Sequence, residues 1–279
     1  MFLCKKKKDF FDDFLTCRWR LSSKKRRLLK FQELENNTAK EQGRVARLVT
    51  ICSSEKLGYF NHVTSNKLFI NQIYVDSNDP CIQYDGINTV IHEGVHAYQN
   101  DCINRIIECK NIIDAVSVWQ KNDEIYFLPE EDYLKYYFQP IEICANTFAI
   151  KKLLSFECYF NNDSFYFDYI DSITEEHKSN CLVAKERFGT NFVQDLADKI
   201  CRKYAWKHRY NPSQETKDNA FFALLEYGKK KYGEEFRCNC EEYIINDPIF
   251  CSLYRLAFPD DKFGYINIFA PYYFREDVF

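Results

Sequence analysis

The stretch IHEGVHAYQN, residues 91–100, decides how this sequence is read. The chain has only five histidines, and two of them, His92 and His96, stand four apart here with Glu93 beside the first. On a helix, residues i and i+4 share a face, so two imidazoles at this spacing can hold one metal ion. Glu93, one position on, is turned aside from that face, where it can take a proton from a water activated by the metal. HEGVH thus has the spacing HExxH, two metal-ligating residue types on one face with an acid beside the first. The plainer alternative is a pair of ordinary histidines on a helix surface.

A catalytic zinc takes three protein ligands and keeps one open position, so two histidines leave the site incomplete. The pattern HExxHxxGxxH would supply a third histidine downstream, but Gln99 and Cys102 stand at its glycine and last histidine positions. Without that glycine no turn is expected there, and Cys102 reads as a core residue of a continuing helix. The better third ligand is Glu142, in QPIEICANTFAI, residues 139–150. Pro140 suits the first position of a helix, which puts Glu142 in the first turn. Ala145, three residues on, is small enough for that helix to approach the HExxH helix closely. Glu142 could instead simply complement the helix dipole. Glu108, Glu130, Glu131 and His177 are competitors without the small-residue pattern.

HEGVH followed by EICANTFA resembles the gluzincin branch of zinc metallopeptidases. It is similar to the HExxH…ExxAxxFA arrangement of ImmA/IrrE-like peptidases and of zincin domains in bacterial toxin and phage-associated proteins. The resemblance covers residues 67–155. It implies a zincin-like core with a small sheet beside the HExxH helix. It also implies zinc held by His92, His96 and Glu142, and Glu93 as general base in hydrolysis of a protein or peptide substrate. The 45 residues between His96 and Glu142 suggest an inserted excursion through 106–135.

Around this site the pattern is α+β and predominantly helical. KLFINQIYV, 67–75, has the β-branched and aromatic bias of a strand. SNDP, 77–80, is a turn, and Asp85 or Asn88 can cap the helix after it, which is expected to run to about residue 105. LLKFQELENNTAKEQGRVARLVTIC, 28–52, reads as helix broken near Gly43. NDEIYFLPEEDY, 122–133, reads as a loop. Phe192, Leu196, Ile200 and Tyr204 form an i,i+4 ladder, and a later helix ends at Gly233. ECYFNNDSFYFDYID, 157–171, resists assignment. The expected division is a basic helical arm over 1–48, a zincin-like core over 49–155, and a helical C-terminal part over 156–279.

Composition narrows the remaining choices. Hydrophobic residues make up 46% of the chain and aromatics 17%, which excludes a disordered polypeptide. No apolar run reaches the 18 residues of a membrane span. The N-terminal MFLCKKKKDFFDDFL lacks the order of a signal peptide, so a reducing, cytoplasmic setting is expected, with most of the 13 cysteines free. Residues 1–48 hold 14 Lys and Arg against 6 Asp and Glu, a balance of +8; with −3 overall, the remainder carries −11. That arm could meet an anionic partner, although a solvated arm folded on an acidic body is the simpler expectation.

A transition-state donor is also needed, and Tyr133, Tyr136, Tyr137, His177 and His208 are candidates. Gln99 and Asn100 continue the histidine face and can orient the imidazoles. Two functions of different class remain. One is a zinc metallopeptidase; the other is a zincin-fold binding or regulatory module with a structural zinc. A structural site has no use for a base beside its ligand, so the intact Glu93 favours the peptidase.

Overall fold

The computed structural model describes residues 10–53, 56–109, 112–207, 213–234, 236–237 and 241–258. The fold is α+β and predominantly helical. Helices α1 (Thr16–Leu21) and α2 (Lys24–Glu41) precede three short strands, β1 (Leu48–Cys52), β2 (Gly58–Asn61) and β3 (Lys67–Asn71). A single turn, α3 (Ile73–Asp76), leads into the long α4 (Pro80–Ile103). Then come α5 (Ile113–Glu124), α6 (Tyr133–Phe138), α7 (Pro140–Leu154) and α8 (Ser164–Phe188). The chain continues through α9 (Phe192–Lys207), α10 (Gln214–Tyr232), α11 (Glu241–Asn246) and α12 (Pro248–Ala257). No helix among the described residues is long and apolar enough to cross a membrane.

Compactness divides the chain into two units, at places other than residues 48 and 155. One takes in the described residues of 1–111 and 128–190, the other those of 112–127 and 191–279. The reason is the core of the first unit. Phe14, Trp19 and Phe31 from the N-terminal arm share it with Leu68 and Ile70 of β3, Tyr84, Ile87 and Ile91 of α4, Leu153 of α7 and Tyr166 of α8. The arm is therefore a structural layer of this unit.

Its basic side chains are largely occupied. Lys24 pairs with Asp76, Arg26 and Lys30 with Asp13, and Arg18 with Asp12. Arg27 is buried, and its guanidinium donates to the carbonyls of Trp19, Val75 and Ser77, tying α2 to the ends of α1 and α3. Lys5–Lys8 lie outside the described residues.

The sheet has the order β1-β3-β2, with β1 parallel and β2 antiparallel to β3. Two local expectations are corrected here. The strand predicted over 67–75 stops at Asn71, whose side-chain oxygen accepts the Ile73 N–H at 2.9 Å and starts a helical turn. The segment after Gly43 is strand β1, because Gly43 at φ +69° ends α2 with a reversal.

The cap of α4 also moves. Asp79 accepts the Cys81 N–H at 2.8 Å and Pro80 takes the first helical position, so the helix starts before Asp85 and Asn88. At its other end α4 stops at Ile103. Arg105 adopts the left-handed conformation (φ +57°), and Ile106 N–H reaches back to Asp101 O at 2.8 Å. The chain thus turns there without a glycine. The segment 157–171 resolves into a short 3₁₀ turn, Glu157–Tyr159, and the start of α8.

In the second unit, Phe192, Leu196 and Ile200 are buried as the ladder predicts, and Tyr204 is half-buried. Leu224 of α10, Ile244 of α11, and Phe250 and Tyr254 of α12 form a separate cluster.

Candidate metal centre

Helix α4 carries the centre because three of its sides meet three different layers. On the side of α2, Gly86 leaves room for Phe31 and Tyr74; an added Cβ would come within 2.8 Å of Phe31 Cζ. One step further along, Gly94 of HEGVH lies against an ion pair. There an added Cβ would meet Arg44 Nη2 at 2.8 Å and Glu35 Oε2 at 3.1 Å.

The Glu35 and Arg44 side chains are fully buried and joined by two hydrogen bonds of 2.6 and 2.8 Å. Glu35 also accepts the Arg47 N–H at 2.7 Å, and the Arg47 side chain pairs with buried Asp101 at the end of α4. Sequence alone assigned Arg44 and Arg47 to a solvated arm. They are instead buried charges that fix the back of α4, since a buried charge requires a partner.

On the side of α7, His92 Nε2 and His96 Nε2 lie 3.0 Å apart. Glu142 Oε2 is 3.2 Å from His92 Nε2, and Oε1 is 3.4 Å from His96 Nε2. His92, His96 and Glu142 form a group that could hold a metal ion. Zinc bonds of about 2.0–2.1 Å set tetrahedrally place neighbouring ligand atoms about 3.3–3.4 Å apart. The observed separations fall close to that spacing, so the donor set fits zinc in both chemistry and size. Buried Ala145, at 0% exposure, marks the close approach of α7. Glu108, Glu130 and Glu131 are exposed and outside this group.

Gln99 ties the two helices together and orients one ligand. Its amide Nε2 donates to Ile141 O at 3.0 Å, which leaves its Oε1 facing His96 Nδ1 at 2.8 Å. An oxygen can only accept, so Nδ1 carries the proton and Nε2 presents its lone pair to the metal position. Asn100, the other candidate for this role, accepts from Asn104 instead.

Electrostatics of the metal-free cluster follow from burial and proximity. Burial works against charge on His96, but the Glu142 carboxylate outweighs it and raises the imidazole to about 9. Burial likewise works against charge on Glu142, and the two histidines hold it well below the usual carboxylate range.

Glu93 faces a different layer. It is 8% exposed, stands outside the ligating group, and accepts the backbone N–H of Phe60 on β2. Burial pushes its carboxyl up, partly offset by the neighbouring histidines. The approach of β2 depends on Gly58, where a Cβ would fall 2.4 Å from Thr89 Cγ2 and 3.3 Å from Glu93 Cγ. Sequence reasoning missed Gly58 and Phe60, since strand pairing across the helix leaves no mark in local spacing.

Among the candidate transition-state donors, Tyr137 and His177 are joined. Tyr137 OH and His177 Nδ1 lie 2.9 Å apart, and Cys181 Sγ is 3.5 Å from His177 Nε2. Burial lowers the His177 pKa. Tyr133 OH donates to Glu176 at 3.3 Å. Tyr136 belongs to α6 and is half-buried, and His208 lies outside the described residues.

Comparison of the chain with family models, with curated proteins and with solved structures gives no match.

Proposed function

We propose that this chain is a zinc-dependent peptidase that hydrolyses a peptide bond through a water activated at the His92–His96–Glu142 group. The observation that carries the reading is the position of Glu93. It adjoins the ligating cluster along the helix, is not a member of it, and is held by the backbone N–H of Phe60 on β2. When bound, zinc supplies Lewis-acid polarisation of a carbonyl and lowers the pKa of a water molecule to about 7. Glu93 takes the proton of the attacking water and returns it to the departing amine. His92 and His96 present neutral nitrogens, Gln99 holds the tautomer of His96, and Glu142 contributes charge. A peptide substrate is favoured because β2, whose Phe60 N–H meets Glu93, is one of the two outer strands of the sheet. An outer strand offers unpaired backbone groups to an extended chain.

The test is metal content and turnover measured together on purified protein with a peptide library. The wild-type chain is expected to hold about one zinc ion and to cleave. Glu93→Gln is expected to keep the zinc and lose turnover by about two to four orders of magnitude. Protein that retains no zinc after metal-replete expression would overturn the reading. Zinc retained with no cleavage in any library would leave the metal-stabilised binding module as the function.

A further inference from the structure

The turn that ends α4 brings two thiols together. Cys102 is buried at 3% exposure in the last turn of the helix, and Cys109 is half-buried six residues beyond it in the returning chain. The reversal is set by Arg105 in the left-handed region and by the Ile106 N–H to Asp101 O bond. It folds 106–109 back along the helix, so that Cys102, Cys109 and the Tyr98 hydroxyl share hydrogen bonds with one another. Both cysteines are free. A disulfide bond brings such thiols from contact to about 2.05 Å.

We propose that Cys102 and Cys109 are a redox-active dithiol, which exchanges with small-molecule disulfides to form a reversible bridge across the turn. Cys109, the more accessible of the two, attacks one sulfur of the disulfide as its thiolate. A mixed disulfide forms and one thiolate leaves. Cys102 then loses its proton to solvent and attacks the Cys109 sulfur, expelling the second small thiolate. Two protein thiols are oxidised, and one small disulfide is reduced to two thiols. Burial holds the Cys102 thiol protonated, so the second step is the slower one and the mixed disulfide on Cys109 precedes the bridge. Closure would lock the turn immediately after Asp101, the residue that pairs with Arg47 behind the metal centre.

The experiment equilibrates the full-length protein with reduced and oxidised glutathione over a range of ratios. Remaining thiols are then trapped by alkylation, and tryptic peptides are weighed. Arg105 lies between the two cysteines, so the bridge holds together two peptides that reduction separates. The expected result is transient glutathione on Cys109, followed by the linked pair. Cys102→Ser should leave glutathione on Cys109 as the end product, and Cys109→Ser should leave Cys102 alkylated but never glutathionylated. Three wild-type outcomes would overturn the proposal: glutathione persisting on Cys109 at every ratio, a bridge from Cys109 to another cysteine, or both thiols unreacted while exposed Cys17, Cys81 and Cys158 are modified. The readout does not involve zinc or cleavage, so it stands apart from the peptidase reading.

Discussion

Glu142 in the first unit and Asp247 in the second begin as the same device. Each is a buried acid within two residues of a proline that opens a helix: Pro140 of α7 and Pro248 of α12. They are 2% and 3% exposed, and both carboxyls are held well below the ordinary range. Their partners differ. Asp247 precedes its proline and caps its own helix, accepting the N–H groups of Ile249 and Phe250. The hydroxyls of Tyr227 and Tyr232 and the Lys231 ammonium, all on α10, complete its shell. Glu142 follows its proline by two residues, and its carboxylate faces His92 and His96 on another helix. An acid at the cap is consumed by the backbone. An acid two places inside the helix faces side chains of a neighbouring helix instead.

The largest effect that tests this contrast is Glu142→Ala. Removing a metal ligand is expected to weaken zinc binding by more than the 10–100-fold typical of an outer partner of a ligand, with activity falling too. Competition with a zinc chelator would measure it, and an unchanged affinity would move the third ligand elsewhere. Next in size is pH. In the metal-free protein His96 keeps its proton up to about 9, and zinc must displace that proton. Zinc affinity is therefore expected to climb about tenfold per pH unit below 9 and level off above it. Conversely, the His96–Glu142 pair stabilises the metal-free protein fully below the usual histidine value of 6.5 and is lost as pH rises through about 9. Thermal melts of chelator-treated protein across that range would reveal the opposite slope.

Gln99→Leu should be milder, lowering zinc affinity about 10–100-fold by freeing the His96 tautomer and ring. Asp247→Ala is the smallest: a cap lost, worth about 0.5–2 kcal/mol in denaturant melts of the full chain, with zinc content unchanged. Since the folded carboxyl titrates low, the stability it supplies is present above about pH 4 and fades as acid protonates it. If Asp247→Ala released zinc, the separation of structural from ligating acids would collapse.

That His92, His96 and Glu142 come together was legible because helical spacing and a proline start are local facts, and local facts survive in a linear string. The boundaries of β3 and α4 were not. Ile73, Tyr74 and Val75 have strand bias, but the Asn71 side chain and the Arg27 guanidinium hold them in a helical turn. The buried pairs were hidden for the same reason. Arg47 finds Asp101 from 54 positions away, and nothing near either residue announces the other. Gln99 was visible as a polar residue on the right face; that it reaches Ile141 O depends on how α7 packs, which spacing cannot supply.

The segment 112–127 leaves the first unit for the second and then returns, and this has a consequence for the order of events in the cell. A ribosome delivers His96 and then makes 45 further residues before Glu142. At about 5–20 residues per second, that interval is roughly 2–9 s. During it the nascent chain carries His92 and His96 without the Glu142 carboxylate that completes the group. The group that could hold a metal ion is therefore complete only once the chain has come back.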